Sequence, residues 1–212
     1  MNQYVSSMLK SMCYSELHDL FVRSNKPAKE ISESYAAFHH LKSVMGEEMQ
    51  KDHLFLHIGD GKYCRTAALF TLMLGIKSTS KNMSIDPNIN AEFMKEWGEG
   101  PKWGETKRIK NFTYLPHKWQ DVDWNEKTPR QPYSYVLVHA HVNLREMIDK
   151  IGFNGWSYIY SNPCCNISNQ ILSLTYCERH HIDILKCGAD HNIISPKNMV
   201  FVYRNNLILE RW

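Results

Sequence analysis

Two glycines and an acidic residue further on form the first group whose types and spacing suit chemistry. Leu56-His57-Ile58 runs into Gly59-Asp60-Gly61, and Ile85 runs into Asp86-Pro87-Asn88. Glycines at the carboxyl end of a strand let a ligand approach the backbone closely. An acidic residue ending the next strand lies at the same sheet edge, where it can accept hydrogen bonds from ribose hydroxyls. The interval between Gly61 and Asp86 holds one helix and one strand. An open α/β sheet binds nucleotides at that edge.

Other candidates follow along the chain. Val138-His139-Ala140-His141 closes an apolar run. A histidine there has a pKa suited to general-base work; the plainer reading is a strand-end imidazole bonded to backbone. Asn162-Pro163-Cys164-Cys165 marks a proline turn. Cys177 with His180, and Cys187 with His191, are residue types that zinc accepts. Neither pair is a C-x-x-C, so the thiols read as ordinary and no metal ligand is assigned. The segment Trp97–Trp124 interleaves Trp97, Trp103, Trp119 and Trp124 with Lys102, Lys107, Arg108, Lys110 and Lys118. That composition suits stacking on single-stranded nucleic acid. Glu96, Glu99, Glu105, Asp121 and Asp123 dilute its field, which favours a loop whose tryptophans pack on the sheet.

These residues need elements to position them. Apolar residues from Val5 to Phe21 predict one amphipathic helix. Ile31, Tyr35, Phe38, Leu41, Val44 and Met45 predict a second, after the break at Ser24–Pro27. Residues 53–58 predict a strand, Ala67–Leu74 a buried helix, and Asn82–Ile85 a second strand. Strand, glycine turn, buried helix, strand is one βαβ unit and implies a parallel sheet. Further strands are expected over 111–115, 135–139, 156–160, 182–185 and 199–203, with helices over 91–97, 144–151 and within 170–176. Asn205-Asn206 suits a hairpin turn onto 207–209. The expected architecture is α/β: a Rossmann-like, seven-stranded, mostly parallel sheet over 51–212 with helices on both faces, preceded by a helical extension over 1–50.

The strand ending in Gly59-Asp60-Gly61, with Asp86 ending the next, resembles the class I S-adenosylmethionine-dependent methyltransferases. The likeness runs over roughly residues 53–203 in strand order and spacing. It implies methyl transfer from S-adenosylmethionine to an O or N acceptor, RNA and small molecules among the candidates. By the resemblance Gly59, Asp60 and Gly61 line the methionine part of the cofactor, Asp86 holds its ribose, and Asp121 contacts the adenine. The transferred methyl then lies near the end of the fourth strand, which makes His139 the candidate base. The family's third glycine is Tyr63 here. Asn162–Cys165 is only faintly similar to the N-P-P-Y motif of amino-methyltransferases, and the Lys-Asp-Lys-Glu set of ribose methylation is absent. Those departures support an alternative: an inactive binding module of the same fold, acting on nucleic acid or a protein partner. A nicotinamide dinucleotide fits less well, since Cys64 stands where its fingerprint ends in glycine.

Composition bounds the remainder. The 212 residues suit one domain with an extension. Apolar residues are 43% and charged residues 22%, close to the globular norm, which excludes wholesale disorder. The net charge of +3 permits an anionic partner without demanding one. No stretch approaches the ~20 apolar residues of a membrane span, and the N-terminus lacks the pattern of a signal peptide. Six cysteines fall short of disulfide-scaffold density. A cytoplasmic, reducing setting with free thiols is the expectation; the sequence is silent on oligomeric state.

Overall fold

The computed structural model describes residues 2–11, 14–97, 109–124, 131–153, 157–165 and 167–206. Helices α1 (Gln3–Lys10), α2 (Tyr14–Phe21) and α3 (Pro27–Met45) lead the chain. β1 (Leu54–Ile58), α4 (Arg65–Leu74) and β2 (Lys81–Ile85) form the first βαβ unit. After α5 (Ala91–Met94) come β3 (Phe112–Leu115), β4 (Tyr133–Val138), α6 (Leu144–Ile151), β5 (Ser157–Asn162), α7 (Leu174–Arg179), β6 (Ile182–Ala189) and β7 (Met199–Asn205). The strands make one seven-stranded sheet in the order β3-β2-β1-β4-β5-β7-β6. β1 to β5 are parallel, and β7 runs antiparallel between β5 and β6.

Alternation along the strands divides the core into two layers. Phe55 of β1 and Val136 of β4 face a cluster built with Phe38, Leu41 and Phe70 of α3 and α4. Leu54, Leu56 and Ile58, with Tyr133, Tyr135 and Leu137, face Leu144, Met147, Ile148 and Ile151 of α6. Period-two side chains on a sheet covered on both faces give this three-layer arrangement. α6 also begins and ends as its sequence predicts: the Asn143 side chain accepts from the Glu146 N–H, and Gly152 takes φ +79° past its end.

The sequence expectations need four corrections. The helix expected over 5–21 is two helices, because the Ser11 hydroxyl bonds the Met8 carbonyl (2.7 Å) and Ser11 turns extended. The stretch 170–176 splits into a 3-10 turn (Ile167–Gln170) and α7, whose start is capped by Ser173 accepting from the Tyr176 N–H. The helix expected over 91–97 is regular only to Met94. Asn205 is no turn residue: it is paired within β7, opposite Ser157 and Ile182, and residues 207–209 lie outside the described residues.

Parallel register brings the functional edge together. His57 pairs with Val136, Ile58 with Ile85, and Val138 with Asn162. The turns after β1, β2, β4 and β5 therefore emerge at one edge of the sheet. Among the described residues no helix is long and apolar enough to cross a membrane.

Candidate functional site

The turn after β1 is built by left-handed backbone. Gly59 has φ +73°, Gly61 φ +75° and Cys64 φ +47°. A Cβ on Gly59 would stand 3.0 Å from Cα and Cβ of Ala140, so glycine is required for β1 and β4 to close there. A Cβ on Gly61 would meet nothing within 4 Å, so that glycine faces open space. Cys64 gives α4 no side-chain cap. Asp60 supplies one from a distance, its two carboxylate oxygens accepting from the Thr66 and Ala67 N–H groups (2.9 Å each). The Ser84 hydroxyl also donates to it (3.3 Å). Burial pushes Asp60 up to about 6 despite those bonds, which hold it down.

Asp86 reaches the same turn. Its Oδ2 accepts from the Gly61 N–H (3.0 Å) and its Oδ1 from the Asn88 N–H (2.7 Å). It is 7% exposed. Each oxygen uses one lone pair, so one acceptor position remains on each. The Lys62 carbonyl accepts from the Asn90 N–H (3.0 Å), joining the two turns further. Asp121 sits apart: it ends a 3-10 turn (Trp119–Asp121) after β3 and is exposed.

A cavity of about 870 Å³ opens over this edge. Gly59, Asp60, Gly61, His139, Cys164 and Lys197 line it, with the start of α3 as its roof. Asp86 and Asp121 are not among its lining residues. The loop 194–197 forms another wall, held to α3 by the Ile194 N–H donating to Ser32 Oγ (2.9 Å). Behind it, Asp190 accepts from Tyr4 (2.6 Å) and pairs with His40 (2.7 Å), tying α1 and α3 to the end of β6. Burial alone would raise the Asp190 carboxyl, but the bonds from Tyr4, the Asn192 N–H and His40 hold it below its ordinary value.

His139 joins the cavity through a cluster that sequence reading missed. It follows β4 with φ +55°, the left-handed region where few non-glycine residues sit. Its Nε2 pairs with Glu33 of α3, and the Lys29 ammonium bonds Glu33 Oε2 at 2.8 Å. Glu33 is 1% exposed and His139 20%. The same Nε2 lies 3.3 Å from the Lys29 ammonium, so it stands between a carboxylate and a cation. Nδ1 is enclosed and has no hydrogen-bond partner. The signal for Glu33 was available. It lies four residues before Ala37 and eight before Leu41, on the face of α3 that turns inward, and an acid there needs a cationic partner.

The histidine after it, His141, lies within 3.0 Å of Cys164 Sγ and 3.1 Å of Cys165 Sγ, which are 3.0 Å apart. Burial, then the neighbouring Cys165 thiol, push Cys164 up to about 11. The zinc set weighed from sequence does not assemble. Cys177 is buried on α7, His180 stacks on Tyr176, and Cys187 lies exposed within β6. Among the described residues of 97–124, Trp97, Trp119 and Trp124 are buried in the core rather than offered as a stacking face. Trp103, Lys102, Lys107 and Arg108 lie outside the described residues.

The sheet order with its antiparallel β7 is the Rossmann-like fold shared with class I S-adenosylmethionine-dependent methyltransferases. Several solved structures share it. A protein of Pyrococcus horikoshii, described as an inferred RNA methyltransferase, is 12% identical, with a TM-score of 0.52 over 99% of this chain and 97% of its own. A SAM-dependent methyltransferase of Aquifex aeolicus is 13% identical, TM-score 0.50, over 90% and 96%. Magnesium protoporphyrin IX methyltransferase of Synechocystis PCC 6803, solved with bound SAM, is 8% identical, TM-score 0.50, over 94% and 95%. No protein-family profile and no curated protein sequence matches the chain.

Proposed function

We propose that this chain is a methyltransferase using S-adenosylmethionine to methylate an O or N acceptor. The observation that carries this reading is the 870 Å³ cavity opening on the Gly59–Gly61 turn, with free space where a Gly61 side chain would stand. That size suits a cofactor with part of an acceptor. The turn and Asp60 would hold the methionine part, and Asp86, which lies outside the cavity lining, would need to reach the ribose from behind the turn with its two remaining acceptor positions. Asp121, placed by resemblance at the adenine, would need to act from a turn outside the cavity. Bound S-adenosylmethionine supplies an electrophilic methyl group on a sulfonium. Lys29 and Glu33 hold the His139 ring at the cavity wall as the candidate base, with Nε2 against both of them and Nδ1 without a partner. A second reading rests on that same Nδ1. It is enclosed as the protein is folded, which suits a cavity that binds without turnover.

Calorimetry with S-adenosylmethionine and S-adenosylhomocysteine tests the cofactor. Binding is expected, and Asp86→Ala is expected to weaken it about 5- to 150-fold, the equivalent of about 1–3 kcal/mol for a lost buried hydrogen bond. No binding of either ligand at millimolar concentration would sink the reading. Labelled S-adenosylmethionine incubated with RNA, protein and small-molecule pools then separates enzyme from module. Transfer reduced about 100-fold or more in His139→Ala supports the base; transfer that survives unchanged removes it.

A further inference from the structure

The histidine and two cysteines beside the cavity are assigned no role by the fold or by the proposed methyl transfer. Side chains of adjacent residues point to opposite sides of an extended chain. Here a bend after Pro163 turns both Cys164 and Cys165 toward one imidazole. The frame behind them is fixed. The His139 N–H donates to the Asn162 carbonyl (3.0 Å), which sets the loops after β4 and β5 side by side. Gln170 accepts from Ser161 Oγ (2.8 Å) and donates to the Ala140 carbonyl, holding the same two loops from behind. Three ligand atoms thus converge on one point, the one such group of His, Cys, Asp or Glu among the described residues.

We infer that His141 Nε2, Cys164 Sγ and Cys165 Sγ form a binding site for a thiophilic divalent cation of the zinc class. Two thiolates and one imidazole are a donor set such a cation favours. Zinc–sulfur and zinc–nitrogen bonds of about 2.3 and 2.0 Å place tetrahedral ligands roughly 3.5–3.8 Å apart. The three atoms, now 3.0–3.1 Å from one another, need to separate by less than about 1 Å, within the reach of side-chain rotation. On binding, both thiols release their protons to solvent, two metal–sulfur bonds and one metal–nitrogen bond form, and two thiolates neutralise the cation's charge. Three protein ligands leave one position for water or another ligand. Cys164 also lines the cavity, so the metal would fix its wall between the β4 and β5 ends. This site stands whether or not the cavity binds S-adenosylmethionine.

The full chain, kept reduced and stripped with a chelator, is titrated with Co²⁺ and then Zn²⁺ without oxygen. One equivalent of Co²⁺ is expected to bind with a thiolate-to-cobalt charge-transfer band, and Zn²⁺ to displace it. Cys165→Ser and His141→Ala, both at exposed positions, are expected to keep the native circular dichroism and weaken binding at least about tenfold, no less than an outer-shell partner costs. The double variant Cys177→Ser/Cys187→Ser is expected to retain the band. Absence of the band overturns the proposal, as does its survival in Cys164→Ser/Cys165→Ser or its loss only with Cys177 and Cys187. A Cys164–Cys165 disulfide in the reduced protein, read as two missing hydrogens by intact mass, overturns it equally.

Discussion

Gly59 and Gly61 share a positive φ, yet they answer to different constraints. Gly59 is pressed by Ala140 of the neighbouring strand end, while Gly61 faces open space. Alanine at 61 therefore incurs backbone strain alone, about 1–2 kcal/mol. Alanine at 59 adds a backbone collision to that strain, for a total of roughly 2–5 kcal/mol. Urea unfolding of the two variants is expected to show Gly59→Ala as the less stable, by more than about 1 kcal/mol. Equal losses would mean that β1 and β4 do not close as described. If the open space belongs to a ligand, Gly61→Ala is also the variant that loses cofactor binding out of proportion to stability. Glu33 shows the other kind of residue-scale constraint. A carboxylate this deep survives because Lys29 and His139 stand against it. Its effect is to hold the His139 ring at the cavity wall.

At the scale of elements, the chain's leading helices decide whether the sheet stands alone. The sequence reading divides the chain at residue 50, and that division remains a proposal. Its weak point is the core: Phe38 of α3 meets Phe70 of α4 edge-on at 5.4 Å, and Phe70 meets Phe55 of β1 at 5.5 Å. Apolar residues from Tyr4 to Met49 belong to the same cluster as one face of the sheet. Removing residues 1–50 would uncover that face, and a contiguous apolar patch of this kind drives association. The truncated chain is expected to aggregate or to lose a cooperative unfolding transition. A soluble, cooperatively folding 51–212 would support the division. Local pattern made most elements legible, because alternation in the strands and the buried run 67–74 are short-range signals. The placement of the glycine turn and of Asp86 at one sheet edge was legible for the same reason, since Gly59–Gly61 and Asp86 follow consecutive strands. Glu33 with His139, and His141 with Cys164 and Cys165, were not. Each pairs residues far apart in sequence, and only the register of β4 with β5 and the seating of α3 bring them together. The loop 190–197 escaped as well, being held by side chains of α1 and α3 rather than by periodicity.

Across the whole molecule, buried titratable groups set how the fold meets acid. Burial pushes His57 down to about 3 and His53 down to about 4. Both are neutral in the native state, whereas the unfolded chain protonates them near 6.5. Between about pH 6.5 and 4 the unfolded state therefore binds two more protons at these positions, and stability falls as pH falls. Asp60 works in the opposite sense. With its pKa near 6, the native state takes up its proton from about pH 6 downward, while the unfolded chain waits until about pH 4. One of the two protons is thereby offset around pH 5. His40, lowered chiefly by burial although Asp190 pulls it up, adds to the histidine side. The expected slope is thus at least about 1.4 kcal/mol of stability lost per pH unit near pH 5. Urea unfolding at pH 7, 6 and 5 measures it. Asp60→Asn lowers stability everywhere by weakening the α4 cap, but it also removes the opposing proton, so its slope near pH 5 is expected to approach twice that of the parent. A flat profile in the parent chain would contradict neutral, enclosed imidazoles beneath β1. An unchanged slope in Asp60→Asn would place the Asp60 carboxylate in solvent rather than enclosed against the start of α4.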